Sequence, residues 1–248
     1  MKLTKAETKL HDEAVQLAHK RRLSDDEIDF VFDNFHPGAT ANITKGGMFF
    51  TPRDMAWDAA CFHQGHGRVV DACAGIGVLA RSLILHQGGK VKMTCIEVNP
   101  HFVEVGKKLV PEAKWICGDI FTTMARLPLF TSGISNPPFG HLPGNRSANF
   151  KSAFHFAVME LLLKHTELGA VMIIPAMENS QSDGGFWTPS ANYKKFKGLY
   201  PQADIEPGPF DTSSYKFREA APKVSICDLS KEAHGTQGMH GSYLITDH

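Results

Sequence analysis

The chain has 248 residues, of which 42% are hydrophobic and 21% charged, enough for a packed core in one α/β domain with additions or in two small domains. Its 26 basic and 26 acidic residues cancel, which excludes a global basic field as the means of holding a polyanion and leaves room only for a local basic groove. No apolar run approaches the length of a membrane span and the N-terminus has no secretory apolar segment, so a cytoplasmic setting with no membrane partner is expected.

Leu3 to Arg22 reads as an amphipathic helix rich in charge. Ser24 to Glu27 forms a capping box, in which Ser24 caps and Glu27 reaches back. The helix it starts carries Ile28, Phe30, Val31, Phe32 and Phe35 and stops at Pro37-Gly38. These two helices are expected as an N-terminal extension. After a small polar stretch, Thr51 suits an N-cap and Pro52 the first helical position of a helix running to Phe62. A strand–helix alternation follows. Strands are expected at Arg68–Ala72, Val91–Val98, Lys114–Cys117, Leu129–Ile134 and Gly169–Pro175. The helices between them are expected at Gly77–His86, Pro100–Leu109 and Phe150–His165. Strongly apolar strands in such alternation point to a doubly wound, mostly parallel sheet. A Gly/Ser-rich loop (Ser180 to Ser190), a short helix from Asn192 to Leu199 and two strands, Ile205–Phe210 and Lys223–Leu229, complete the pattern before a short tail.

Five scattered cysteines, odd in number, are expected as buried thiols in a reducing compartment. Cys61, His63 and His66 lie near one another, but no second ligand pair follows at zinc-site spacing. They are read as a core cysteine and loop histidines, and no metal is expected.

Val69 to Gly77 is a strand running into a glycine-rich turn, where Gly75 and Gly77 let backbone approach a ligand. Gly75-Ile76-Gly77-Val78-Leu79-Ala80 fits the dinucleotide fingerprint with alanine in third place, and Glu97 lies twenty residues beyond Gly77, where a ribose-binding acid belongs. A nicotinamide or flavin enzyme is therefore one reading. Against it, Asp71 places a carboxylate at the strand end, which would repel a pyrophosphate and attract an ammonium. A second acid, Asp119, follows the third strand, with Ile120 and Phe121 beside it. The strand leading to Ser135 must leave the sheet at Asn136-Pro137-Pro138-Phe139, because neither proline has an N–H for the ladder. The break leaves the Asn136 amide and the Pro137 carbonyl free to accept hydrogen bonds from an amino group, beside a ring that can stack.

Asn136-Pro137-Pro138-Phe139 resembles the Asn/Asp-Pro-Pro-aromatic motif of S-adenosylmethionine-dependent amino-methyltransferases, and Asp71-x-x-x-Gly75-x-Gly77 resembles their cofactor loop. Phe50-Thr51-Pro52 resembles the aromatic-Thr-Pro stretch that precedes that loop in adenine-specific DNA methyltransferases of the gamma-type motif order. The resemblance runs from Met48 to Ala176, more weakly to Leu229, and departs from the usual pattern at Cys73 and Ala74, where many members carry glycine. It implies a Rossmann-like class I methyltransferase with a seven-stranded sheet whose last strand is antiparallel. It also implies a division into an extension (1–45), a catalytic domain (46–230) and a tail (231–248). S-adenosylmethionine would be held by Phe50, Thr51, Pro52, Asp71, Cys73, Ala74, Gly75, Gly77, Glu97, Val98, Asp119, Ile120 and Asn136. Asn136, Pro137, Pro138 and Phe139 would carry catalysis. His141, Arg146 and Trp187, with Phe139, would meet the substrate. The resemblance implies methylation of adenine N6 in DNA with low sequence specificity. An RNA base, a glutamine amide, or a catalytically silent binding protein on the same fold are the other readings, and the sequence identifies no protein partner.

Overall fold

The computed structural model describes residues 3–36, 49–139, 147–151, 153–175, 190–207 and 224–231. Its seven strands form one sheet in the order β3-β2-β1-β4-β5-β7-β6. They are β1 (Gly67–Asp71), β2 (Val91–Glu97), β3 (Lys114–Cys117), β4 (Ser132–Ser135), β5 (Gly169–Pro175), β6 (Asp204–Pro207) and β7 (Val224–Ser230). The first five are parallel, with Asp71 opposite Cys95 on one side and Ile134 on the other. β7 inserts antiparallel between β5 and β6, so the expected antiparallel last strand lies one place in from the edge.

Among the described residues eight helices surround the sheet: α1 (Lys5–Ala18), α2 (Asp25–Asn34), α3 (Arg53–Phe62), α4 (Val78–His86), α5 (Pro100–Leu109), α6 (Ile120–Met124), α7 (Phe154–His165) and α8 (Ala191–Leu199). Successive residues of a strand face opposite sides, so Val69 and Met93 join one core layer with α1–α5 while Val70 and Ile96 join the other with α6–α8. Each fully buried Leu or Ile contributes roughly 1.5–3 kcal/mol. Among the described residues no helix is long and apolar enough to cross a membrane.

Several elements depart from expectation for local reasons. α1 is shorter than Leu3 to Arg22 because a capping box of Thr4 and Glu7, not anticipated, starts it, and the Ser24–Glu27 box then opens a new helix. β4 begins at Ser132, not Leu129. Before it the chain switches partners: Phe130 N–H donates to the His165 carbonyl and Thr131 N–H to the Arg68 carbonyl, and Leu129 is 40% exposed. α7 begins at Phe154 because Ser147 Oγ accepts from the Asn149 and Phe150 N–H groups, folding 147–150 into a separate turn. The thiols are not uniformly buried: Cys95 and Cys227 are, but Cys61 and Cys117 are exposed, and His63, which lies in the loop after α3 as expected, is buried against Ser132 Oγ at 3.1 Å.

Gly77 fixes the junction of β1 and α4. Its φ of 96° is left-handed, and a Cβ there would sit 2.9 Å from the Trp115 ring and the Val110 side chain. Only glycine satisfies both the turn and the packing.

Candidate active site

The C-terminal ends of β1, β2 and β4 open onto a narrow cleft, where ligands bind in open α/β sheets. The loop after β1 contributes Cys73, Ala74, Gly75 and Ile76, α4 contributes Val78 and Leu79, and β2 ends there in Glu97. Across the cleft run Phe49, Phe50 and Thr51, with Phe102 beneath and Asn136 and Pro138 closing the side. The structure thus brings together Phe50, Thr51, Cys73, Ala74, Gly75, Glu97 and Asn136. Gly75, at φ 54°, approaches the Phe50 ring so closely that a Cβ would lie 3.2 Å from it.

Glu97 is 8% exposed, and its carboxylate accepts from the Gly75 N–H at 2.9 Å and the Asn99 N–H at 2.8 Å. Burial raises its pKa, and those two N–H groups work against the rise. The side chain therefore also holds the glycine loop in shape, a role that its spacing from Gly77 did not reveal.

Asn136 is tied down by two acceptors. Its Nδ2 lies 3.1 Å from the Phe49 carbonyl and 2.9 Å from Thr51 Oγ1. A carbonyl cannot donate, so the group facing it must be the amide nitrogen, and Oδ1 is left to accept. This overturns Thr51 as an N-cap: α3 is capped by Pro52 without a side-chain bond, and the Thr51 hydroxyl serves Asn136 instead. It also means that Asn136 holds the Phe49–Thr51 wall of the cleft.

Other expected residues stand apart from the cleft lining. Asp71 is 0% exposed, and among the described residues neither carboxylate oxygen has a partner at hydrogen-bond geometry, although the Cys73 N–H is close by. Burial pushes Asp71 up to about 8, against a downward pull from the Cys73 N–H and with a smaller upward push from the nearby Glu97 charge. Pro52 is the N-cap of α3, not the first helical residue expected of it, because the helix begins at Arg53. Gly77 serves packing, as described. Val98 is 65% exposed, and Ile120 is buried in the α6–α8 core layer. Asp119 caps the short helix α6, its Oδ1 accepting from the Thr122 N–H at 3.0 Å. Pro137 is buried. Phe139 is half-buried, its ring 6.1 Å from Phe49 and 6.3 Å, edge-on, from His155. His155 has a buried Nδ1 with no partner among the described residues, and burial lowers its pKa to about 4, so at neutral pH it is uncharged. His141, Arg146 and Trp187 lie outside the described residues.

Sequence reasoning missed a second anchor, Glu160 on α7. Its carboxylate accepts from Ser147 Oγ (2.8 Å), Asn149 Nδ2 (2.6 Å), Tyr200 Oη (2.6 Å) and Lys164 Nζ (3.0 Å). Burial pushes its pKa up, but the bonds from Tyr200, Ser147, Lys164 and Asn149 outweigh that and hold it at about 2. The signal was a lone acid inside the apolar run Phe154 to Leu163. A larger cavity, about 530 Å³ between His63, Ser132, Gly169 and Ser230, lies at the opposite ends of these strands and contains none of the expected site residues.

No protein-family model matches the sequence, and no curated protein does. Solved structures do match. A candidate class I S-adenosylmethionine-dependent methyltransferase from Listeria monocytogenes superposes with a TM-score of 0.60 at 14% identity, over 94% of this chain and 89% of that one. The methyltransferase subunit of a type I restriction-modification system from Streptococcus thermophilus gives 0.56 at 15%, over 85% of this chain and 50% of that one. The 23S rRNA methyltransferase ErmE gives 0.53 at 18%, over 75% and 70%. The fold is that of class I methyltransferases. Its seven-stranded sheet, with one antiparallel insertion beside the edge, is the architecture the sequence led us to expect.

Proposed function

We propose that the chain is an S-adenosylmethionine-dependent N-methyltransferase acting on the exocyclic amine of a nucleic-acid base, with adenine N6 in DNA as the first substrate and low sequence specificity. The observation that carries this reading is the fixed amide of Asn136. Its nitrogen is committed to Phe49 and Thr51, so its Oδ1 stays an acceptor at the strand break that adjoins the cleft. The lone pair of an aryl amine is delocalised into its ring. Asn136 Oδ1 and the Pro137 carbonyl, each accepting one amine hydrogen, localise that lone pair for attack. Positioning and exclusion of water supply the rest of the acceleration. A base paired in a duplex has to be flipped out to reach this position.

The residues present fit the cofactor. Glu97 has lone pairs beyond those used by Gly75 and Asn99 and suits ribose hydroxyls, Phe50 and Phe102 supply apolar walls, and the orphaned Asp71 carboxylate suits an ammonium. Bound there, the cofactor supplies an electrophilic methyl group. The cleft is narrow, about 50 Å³. Asn136, which holds the Phe49–Thr51 wall, couples the shape of the cleft to placement of the amine acceptor.

The test is mass spectrometry of nucleosides from DNA and RNA incubated with purified protein and isotope-labelled methyl donor. N6-methyladenine in DNA is the expected product. Label in an RNA base or a glutamine amide would move the substrate, and tight NAD binding with no thermal shift from S-adenosylmethionine would revive the dehydrogenase reading.

A further inference from the structure

The sheet face that carries α6–α8 is not covered along its whole length. Between β3 and β4 the only helix is α6, five residues long, or about 7.5 Å at 1.5 Å per residue. It covers the C-terminal half of β2 and β3 through Ile120 and Met124, over Ile96 and Ile116. The N-terminal ends of β1, β2 and β3 on this face are left as an open groove of about 400 Å³, edged by Leu127, Pro128 and Phe130.

Three cations converge there: Arg68 on β1, Lys92 on β2 and Lys114 on β3. The register puts them on one face, with Arg68 opposite Lys92 and Lys114 opposite Thr94, two residues along from Lys92. All three are exposed, and none makes an ion pair among the described residues. The one carboxylate in the groove, Glu112, is 3.4 Å from Arg81. Neighbouring strands are about 4.8 Å apart and alternate residues of one strand about 6.6 Å apart, so the cations stand in a row at spacings comparable to successive phosphates of a nucleic-acid strand. In a chain with no net charge, this is a local basic groove, the feature that a sequence-independent backbone contact needs.

We propose that Arg68, Lys92 and Lys114 form a phosphate-backbone contact, which holds the strand flanking a target base as it runs along the domain to Asn136. The inference rests on the reading of the chain as a nucleic-acid methyltransferase and adds where the substrate lies. Asp71 is opposite Ile134, so Asn136 stands five residues further along the strand direction than Arg68, about 17 Å. At about 3.4 Å per nucleotide the groove engages a strand only when at least about five nucleotides flank the target on that side. Contacts to backbone alone position a substrate without reading its sequence, in keeping with low specificity.

The experiment compares the parent chain with Arg68→Glu/Lys92→Glu/Lys114→Glu, binding a labelled single strand of about 30 nucleotides over a salt series. Thermal melting and S-adenosylmethionine titration establish that the variant is folded and its cleft intact. The expected result is an affinity at least about tenfold lower at low salt and a salt dependence shallower by about 2 in the log–log slope, from roughly 0.7 per phosphate contact. Turnover on a substrate with fewer than about five flanking nucleotides is expected to be unchanged. A parent that methylates nucleic acid while the variant binds with the same affinity and slope would overturn the groove and leave the proposed function standing. A parent that methylates only a non-nucleic-acid amine would overturn that function's substrate and the groove's partner with it. Loss of binding to phosphatidylserine vesicles, with nucleic-acid binding unchanged, would reassign the groove to an anionic membrane surface and overturn the proposal.

Discussion

The Asn136 amide nitrogen donates to the Thr51 hydroxyl at 2.9 Å, joining two stretches of chain that both line the cleft. The bond decides which end of the amide is presented. Thr51→Val keeps the shape and removes the acceptor, leaving Asn136 one partner, the Phe49 carbonyl, for its two N–H groups. A typical hydrogen bond is worth about 1 kcal/mol, so turnover is expected to fall about five- to tenfold, with a smaller change in cofactor affinity. Asn136→Ala is expected to abolish transfer and also to weaken cofactor binding, because the Phe49–Thr51 wall loses its tie. Calorimetry and single-turnover rates on both variants separate the effects. Undiminished cofactor affinity in Asn136→Ala would show that the wall does not depend on this residue.

A second relationship runs from the N-terminal helices to the same wall. Phe35, at the end of α2 and 1% exposed, packs 6.2 Å from Phe50 and 6.2 Å from Phe102, both of which line the cleft. Arg53 pins α2 to α3 through Asp29 and Asp33 at 2.6 and 2.7 Å. Phe35→Leu keeps most of the buried apolar volume but loses the aromatic contacts, each worth about 0.5–1.5 kcal/mol. Affinity for S-adenosylmethionine is expected to fall about three- to tenfold at little cost in turnover at saturation. A fall in turnover with unchanged affinity would place the influence of α2 elsewhere.

The parallel sheet and most helix positions were legible because strands and helices here announce themselves by apolar runs punctuated at glycine and proline. α5 (Pro100–Leu109), β3 (Lys114–Cys117) and β5 (Gly169–Pro175) begin and end where the sequence pattern does. The residues that gather at the cleft were legible as motifs, but their partners were not. That Thr51 turns toward Asn136 instead of capping α3 depends on a contact across 85 positions of sequence. α6 was missed because five residues carry too little periodicity to register. Glu160 was missed because one acid on an apolar helix has no meaning until Ser147, Asn149 and Tyr200 are seen to converge on it.

Glu160 fixes the turn of residues 147–150 that leads into α7. Glu160→Gln keeps the shape but removes the charge from four hydrogen bonds and is expected to destabilise by roughly 2–3 kcal/mol at neutral pH. The folded carboxyl is held at about 2, below its ordinary value of 4.5. Its contribution is therefore fully present above about 4.5 and is lost as the pH falls toward 2. The stability gap between parent and variant should close over that window, as chemical denaturation at several pH values would show. A gap that stays constant with pH would mean that the hub stabilises through shape and not charge.

Asp71 gives the opposite pH dependence. Its folded carboxyl is raised by burial to about 8 from an ordinary 3.8, so the folded chain keeps a proton that the unfolded chain has lost. Stability from this group is fully present below about 3.8 and falls as the pH rises toward 8, at up to about 1.4 kcal/mol per pH unit. Asp71→Asn cannot titrate. Without cofactor, its stability relative to the parent should rise from pH 4 to pH 8 and level off above. If the carboxylate serves the cofactor's ammonium, binding at pH 7 must release a proton from Asp71, because the bound cation favours the charged form. Calorimetry of S-adenosylmethionine binding in buffers of different ionisation enthalpy would count that proton, and Asp71→Asn should abolish its release while weakening affinity. A stability difference independent of pH would show that Asp71 is already ionised and partnered in the folded chain. Binding with no proton released, in a parent that does show the pH dependence, would leave the carboxyl buried and neutral and assign the ammonium to another group.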